Sequence, residues 1–214
     1  MKNKLLTPQQ ILSLSPIIPV IEIEDLSQSI DLANALITGG INVLEITLRT
    51  SAAIDAISLI AKEVPSVIIG AGTVLNSTDL EKVRNAGASF AISPGCTNSL
   101  LKHAKEINFP LIPGVSTGSE VMKGLDLGYT HFKLFPATSV GGIPLLKSFS
   151  GPFQQAKFCP TGGINEENYL DFLSLDNVLC IGGSWVASNK LITQGDFNKI
   201  TEITRSSLAK IIKS

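Results

Sequence analysis

The stretch "GGINVLEITLRTSAAIDAISLIAKEVPSVIIGAGTV", residues 39–74, decides the fold. It opens on two glycines, which suit the left-handed turn that stops a helix. "INVLEITLR" (41–49) then alternates apolar and polar residues at the period of a strand. "AAIDAISLIAKEV" has the spacing of a helix, and "SVIIGAGTV" (66–74) is a second apolar run. A strand, a helix and a strand in that order imply parallel pairing through a right-handed crossover.

The same unit recurs on both sides of this stretch. "PIIPVIEI" (16–23), "SFAISPG" (89–95), "FPLIPGVS" (109–116), "HFKLFPA" (131–137), "KFCPTGG" (157–163) and "VLCIGGS" (178–184) bring the strand-like runs to eight. Helical spacing fills the intervals, as in "DLSQSIDLANALITGG", "STDLEKVRNAGA" and "EENYLDFLSL". Eight such units close most naturally into a (β/α)8 TIM barrel. An extra N-terminal helix at about 7–14 and a last helix at about 196–212 are expected to cap it. No linker, low-complexity tract or charge run divides the chain, so the expectation is one α/β domain, 1–214.

Bulk properties exclude several classes of function. Lys and Arg number 17 against 18 Asp and Glu, so the overall field argues against nucleic acid or an anionic membrane as partner. No stretch is continuously apolar over the ~18 residues of a membrane span, and "MKNKLLTPQQ" does not read as a signal peptide. A soluble, cytoplasmic protein is expected. Cys96, Cys159 and Cys180 are odd in number, far apart and form no CxxC pair. Cys159 and Cys180 fall in apolar runs and read as buried small hydrophobes.

A barrel places reactive groups late in its strands or just after them. In "VLEITLR", alternation by two sends Leu44, Ile46 and Leu48 toward the covering helices and Glu45, Thr47 and Arg49 inward. An acid and an arginine facing inward are costly unless paired. Taken alone, that strand fits a structural ion pair as well as a site. In "GAGTV" the glycines and Ala71 leave interior room, with Thr73 near the carboxyl end on the parity of Ile69 and Ala71. Strand six brings Lys133, and lysine is seldom buried unpaired. A buried structural pair with Glu45 and a catalytic pair look alike at this level.

The last two strands tip the balance. "CPTGGI" and "CIGGSW" both end on a double glycine. "TGGINEEN" leads toward a helix with Asn165 expected as its N-cap. Phosphate-binding barrels hold the anion between the loops after strands seven and eight, on backbone N–H groups. Glycine allows that close approach, and Ser184 can add a hydroxyl donor. With a phosphate held there, the buried lysine acquires a purpose. Burial favours the neutral amine, which attacks a ketone to give a Schiff base. Glu45 is placed to move protons, and Arg49 offers a planar fork to a carboxylate. The implied substrate carries a carboxylate, a ketone and a terminal phosphate: a phosphorylated 2-keto sugar acid.

The chain closely resembles the 2-keto-3-deoxy-6-phosphogluconate (KDPG) aldolase family, whose members often also cleave 4-hydroxy-2-oxoglutarate (KHG). The resemblance runs from "PIIPVI" to the terminal helix and rests on "VLEITLRT", "IGAGTVLN", "FAISPG", "PLIPGVST", "FKLFPA", "FCPTGGI" and "CIGGSW" taken as a set. It implies that Lys133 is the Schiff-base lysine and Glu45 the general acid/base. Arg49 and Thr73 hold the carboxylate end of the substrate. Gly162, Gly163, Gly183 and Ser184 make the phosphate site, and Pro94 and Thr161 line the pocket. It also implies a homotrimer and no cofactor. Leu134, Thr138 and Cys96 depart from the family pattern and bear on substrate preference rather than on reaction type.

Metal chemistry is not expected, since clustered ligands are needed and the chain has only His103 and His131. His103 falls on a helix surface, and His131 at the strand end away from the chemistry. Two other readings stand beside the aldolase. One is a non-catalytic phosphosugar-binding barrel, which needs neither Lys133 nor Glu45. The other is a different phosphate-binding barrel enzyme, an epimerase or a synthase, with its own ligand set.

Overall fold

The strands appear where the apolar runs lie. The computed structural model describes residues 6–212, so residues 1–5 and 213–214 of the expected domain lie outside the described residues. In chain order the strands are β1 (Ile17–Ile21), β2 (Val43–Thr47), β3 (Ile68–Gly72), β4 (Phe90–Ile92), β5 (Leu111–Ile112), β6 (Gly114–Val115), β7 (His131–Leu134), β8 (Lys157–Pro160) and β9 (Ile181–Gly183). All pairings between them are parallel. One sheet runs β5-β4-β3-β2-β1-β9 and the other β6-β7-β8.

The expected fifth strand is split in two. Pro113 separates β5 from β6, and the pieces belong to different sheets. Proline has no N–H to continue a ladder, but its carbonyl accepts from the Lys133 N–H at 2.9 Å. Two isolated parallel bridges, Phe158 with Val178 and Thr161 with Gly182, connect the edge of β8 to the β9 segment. The result is an α/β fold around a curled parallel sheet, in keeping with the TIM-barrel class.

Helices cover the outside: α1 (Pro8–Leu12), α2 (Ser29–Gly39), α3 (Ala53–Glu63), α4 (Ser77–Asn85), α5 (Asn98–Glu106), α6 (Gly118–Asp126), α7 (Gly142–Ser150), α8 (Tyr169–Leu173), α9 (Asn189–Thr193) and α10 (Phe197–Ile212). Their starts follow side-chain chemistry. Asn76 and Thr97 cap α4 and α5, and Thr117 with Glu120 forms a capping box on α6. The stop of α2 is Gly40, at φ +106°, where a Cβ would be strained. On the inner side of this layer Leu32, Leu36, Ile57, Ile60, Leu80 and Val83 are fully buried against the sheet.

Two expectations about local structure need correction. Asn165 does not cap a helix: its Oδ1 accepts from Glu167 N–H at 2.9 Å in a turn, and α8 begins only at Tyr169. Ala71 does not face the interior either. The β2–β3 register sets Glu45 beside Gly70 and Thr47 beside Gly72, so the glycines share Glu45's face while Ala71 lies beside Ile46.

Candidate active site

The site begins with a register. Glu45 lies beside Gly70, and Gly70 beside Phe90, across three adjacent strands. A Cβ on Gly70 would sit 2.2 Å from the Phe90 ring, so the ring fills the space the glycine leaves. One step further along β3, a Cβ on Gly72 would lie 2.1 Å from Glu45 Oε1. The absence of that carbon is what gives the carboxylate its place. Glycine here serves close approach, not an unusual turn.

Opposite stands Lys133, on β7. Its Nζ donates to Glu45 Oε1 at 3.1 Å, with side chains only 6% and 1% exposed. The amine also lies 5.2 Å from the centre of the Phe135 ring. Taking both charges out of water is costly, and the pair, with the ring face, offsets part of that cost. Such a pair is a poor device for stability, since apolar residues would fill the same volume at less expense.

The interior also holds thiols. Cys159 shares the register of Lys133, and its Sγ lies 3.9 Å from Thr161 Oγ1. Burial, then the Cys159 thiol, then the Glu45 charge push the Cys180 thiol well above the ordinary range. Cys180 is therefore a protonated, inert packing residue beside the acid, as its apolar surroundings suggest. Cys96 lies half-buried at the rim, its thiol pushed up mainly by burial.

The remaining predicted residues lie at or near the carboxyl ends of the strands. Thr47 is buried, and its hydroxyl donates to the Ile21 carbonyl at 2.9 Å. Arg49 lies past the end of β2, in the turn, instead of facing inward as alternation predicts. Its side chain is half exposed. Nε donates to Thr47 Oγ1 at 3.1 Å, and Nη1 pairs with Glu22 Oε1 at 2.6 Å. Thr73 follows β3 at φ +59°, a backbone turn that breaks the strand's alternation. The Pro94 carbonyl follows β4 and would lie 2.4 Å from a Cβ on Gly114, the residue beside Lys133.

The double glycines form a built loop. Thr161 is buried and bridges to Gly182, where a Cβ would come 2.2 Å from its hydroxyl. Gly162 and Gly163 both have positive φ, +99° and +76°. The Gly162 carbonyl accepts from Thr138 N–H at 3.1 Å. The exposed Thr138 stands against the loop, its Oγ1 only 1.9 Å from where a Gly163 Cβ would be. Gly183 rests on Trp185, whose ring would be 1.8 Å from an added Cβ. Trp185 in turn stacks near Tyr169 at 5.3 Å and donates to Ser207 Oγ at 3.3 Å on α10. Ser184 is exposed beside it.

Sequence reading missed Glu22 and Trp185, and it gave Gly72 and Thr138 no contact with Glu45 or with the glycine loop. Glu22 follows β1 and reads only as one of three acids in "EIED". The histidines lie elsewhere, as expected. His131 Nε2 meets Gln9 Oε1 at 2.6 Å, and His103 Nε2 meets Glu81 Oε1 at 3.0 Å. No cluster of three or more His, Cys, Asp or Glu suited to a metal occurs among the described residues. A cavity of about 340 Å³ opens around Lys105, Phe109, Tyr129 and His131, and neither Lys133, Glu45, Arg49 nor the double glycines line it.

A buried amine touching a carboxyl group inside a curled parallel sheet, with glycine loops at the carboxyl ends, is the arrangement a Schiff-base aldolase, a carbon–carbon lyase, requires. The KDPG and KHG aldolase family description fits residues 9–203. The chain is 51% identical to the KHG/KDPG aldolase of Escherichia coli K12 over 208 residues, 97% of this chain and 98% of that protein. It is also 51% identical to the 2-dehydro-3-deoxy-phosphogluconate aldolase of Pseudoalteromonas atlantica, over 97% of each chain. The crystal structure of KDPG aldolase from Legionella pneumophila, with pyruvate captured as a covalent carbinolamine, superposes with a TM-score of 0.94 at 49% identity, covering 95% and 98% of the two chains. The chain belongs to the KDPG and KHG aldolase family.

Proposed function

We propose that this chain cleaves 2-dehydro-3-deoxy-6-phosphogluconate to pyruvate and glyceraldehyde 3-phosphate through a Schiff base on Lys133. The observation that carries the reading is the 3.1 Å contact between Lys133 Nζ and Glu45 Oε1, both side chains buried. The carbinolamine in the Legionella protein, which carries pyruvate covalently, supports the covalent step.

Lys133 passes a proton to Glu45 and its free amine adds to the C2 ketone; Glu45 returns the proton to the departing hydroxyl, and loss of water leaves an iminium. Glu45 takes the C4 hydroxyl proton, the C3–C4 bond breaks, and its electron pair moves toward the iminium nitrogen. Glyceraldehyde 3-phosphate leaves. Glu45 gives that proton to C3 of the remaining enamine, and water hydrolyses the resulting iminium to pyruvate and free Lys133. Arg49 and Thr73 hold the carboxylate end, while Pro94 and Thr161 line the pocket. Gly162, Gly163, Gly183 and Ser184 take the phosphate through backbone N–H groups and the Ser184 hydroxyl. No cofactor enters the cycle. The same cycle on 4-hydroxy-2-oxoglutarate yields pyruvate and glyoxylate, and the dual name of the Escherichia coli relative supports that second substrate.

We further infer one domain spanning 1–214, a closed (β/α)8 barrel with an extra N-terminal helix, a cytoplasmic location and a homotrimer. The two bridges between β8 and β9 support closure, and α1 supports the extra helix.

Pyruvate with borohydride tests the central claim. A stable adduct is expected on the parent protein, mapped to Lys133 and lost in Lys133→Ala. A parent protein that stays unmodified would favour a non-catalytic phosphosugar-binding role instead.

A further inference from the structure

Arg49 is already engaged. Of the five N–H donors a guanidinium carries, one on Nε goes to Thr47 Oγ1 at 3.1 Å and one on Nη1 goes to Glu22 Oε1 at 2.6 Å. Glu22 uses its other oxygen as well: Oε2 accepts from Asn189 Nδ2 at 2.7 Å. Glu22 follows β1, Arg49 follows β2, and Asn189 opens α9 after β9. These three strands are neighbours in the order β9-β1-β2. A single carboxylate therefore ties three adjacent loops on the reactive face to the arginine assigned to the substrate's carboxylate.

The stem of Arg49 does not depend on this tie. Thr47 is buried, its hydroxyl is pinned to the Ile21 carbonyl at 2.9 Å, and it holds Nε by itself. What Glu22 contributes is charge. It neutralises the guanidinium and takes one of the donors on the end fork, where a bidentate carboxylate would bind.

We propose that Glu22 is a resident counter-ion that competes with the carboxylate of a bound keto acid for Arg49, held in place by Asn189. The inference rests on the reading that Arg49 receives that carboxylate. It makes Glu22 a residue that weakens keto-acid binding, and so sets the concentration at which the site fills. The pair is partly exposed, 50% on the Arg49 side and 20% on the Glu22 side, so the effect is modest.

The test is the pyruvate dependence of borohydride trapping on the full chain. Glu22→Gln keeps the side-chain shape and removes the charge. Half-saturating pyruvate is expected to fall about two- to five-fold, the range set by an exposed ion pair. Asn189→Ala frees one Glu22 oxygen and should move half-saturation in the same direction by less. Arg49→Ala should raise half-saturating pyruvate, and in that background Glu22→Gln should have no effect. A residue that merely braced the loops would leave pyruvate binding weaker, not tighter, when removed. If Arg49→Ala weakens binding but Glu22→Gln leaves it unchanged or weaker, the counter-ion role is overturned and the Arg49 assignment stands. If Arg49→Ala leaves half-saturation unmoved, both fall.

Discussion

Substituting alanine for Gly72 tests the site at one carbon atom. The added Cβ would lie 2.1 Å from Glu45 Oε1 and 2.8 Å from its Cδ and Cγ. To reach ordinary contact at 3.4 Å, the carboxylate must retreat by about 1.3 Å. The group that yields is the end of a side chain, not backbone, so the fold tolerates the change at an overpacking cost of about 1–3 kcal/mol. Catalysis tolerates it far less. The Lys133–Glu45 contact of 3.1 Å has little slack, and both groups are enclosed. A misplacement of about 1 Å costs on the order of 10²-fold in rate, and loss of acid–base assistance altogether costs up to ~10⁴-fold. The expected outcome for Gly72→Ala is therefore a fall of about 10²-fold or more in pyruvate release, followed through lactate dehydrogenase and NADH. The thermal transition should remain cooperative. A folded Gly72→Ala protein whose rate stays within about threefold of the parent, less than 1 kcal/mol of barrier, would refute the claim that Glu45 at this position moves the protons.

Two other outcomes follow from the loops and the far end of the sheet. Ser184→Ala, or alanine at Gly162 where φ is +99°, should reduce the preference for phosphorylated over unphosphorylated substrate in competition assays; an unchanged ratio would remove these residues from the phosphate site. His131 supplies a pH dependence of stability. Burial, and then the Lys157 charge, hold its imidazole below the ordinary value of 6.5. The folded state thus favours the neutral ring, and its contribution is fully present above about pH 6.5 and lost as pH falls toward the lowered folded value. Denaturation midpoints of the parent should drop relative to His131→Gln across that acid interval, and parallel curves would show that His131 is not responsible.

Much of this molecule was legible in its residues because the local signals agreed. Lys133 stood out as a charge in an apolar strand, and the double glycines marked two strand ends at matching positions. The period of two sent Glu45 inward, which the register with Gly70 bears out. What stayed hidden depends on three-dimensional contact. Thr73 leaves its strand through a positive φ that no neighbouring residue announces. Arg49 lies beyond the last ladder residue, where alternation no longer holds. Glu22 is an ordinary acid until the strands bring it against Arg49. Asn165 looked like a cap because Asn, Glu and an apolar run follow one another, yet the turn it makes uses the same hydrogen-bonding chemistry.

The stacking of Gly183 on Trp185 has a practical consequence. The chain has a single tryptophan, and its indole lies directly under the loop assigned to the phosphate while reaching Ser207 on the last helix. The tryptophan emission of this protein is therefore a signal from one place, with no second indole to subtract. It gives an optical view of that corner in the native chain, without a label or an engineered probe.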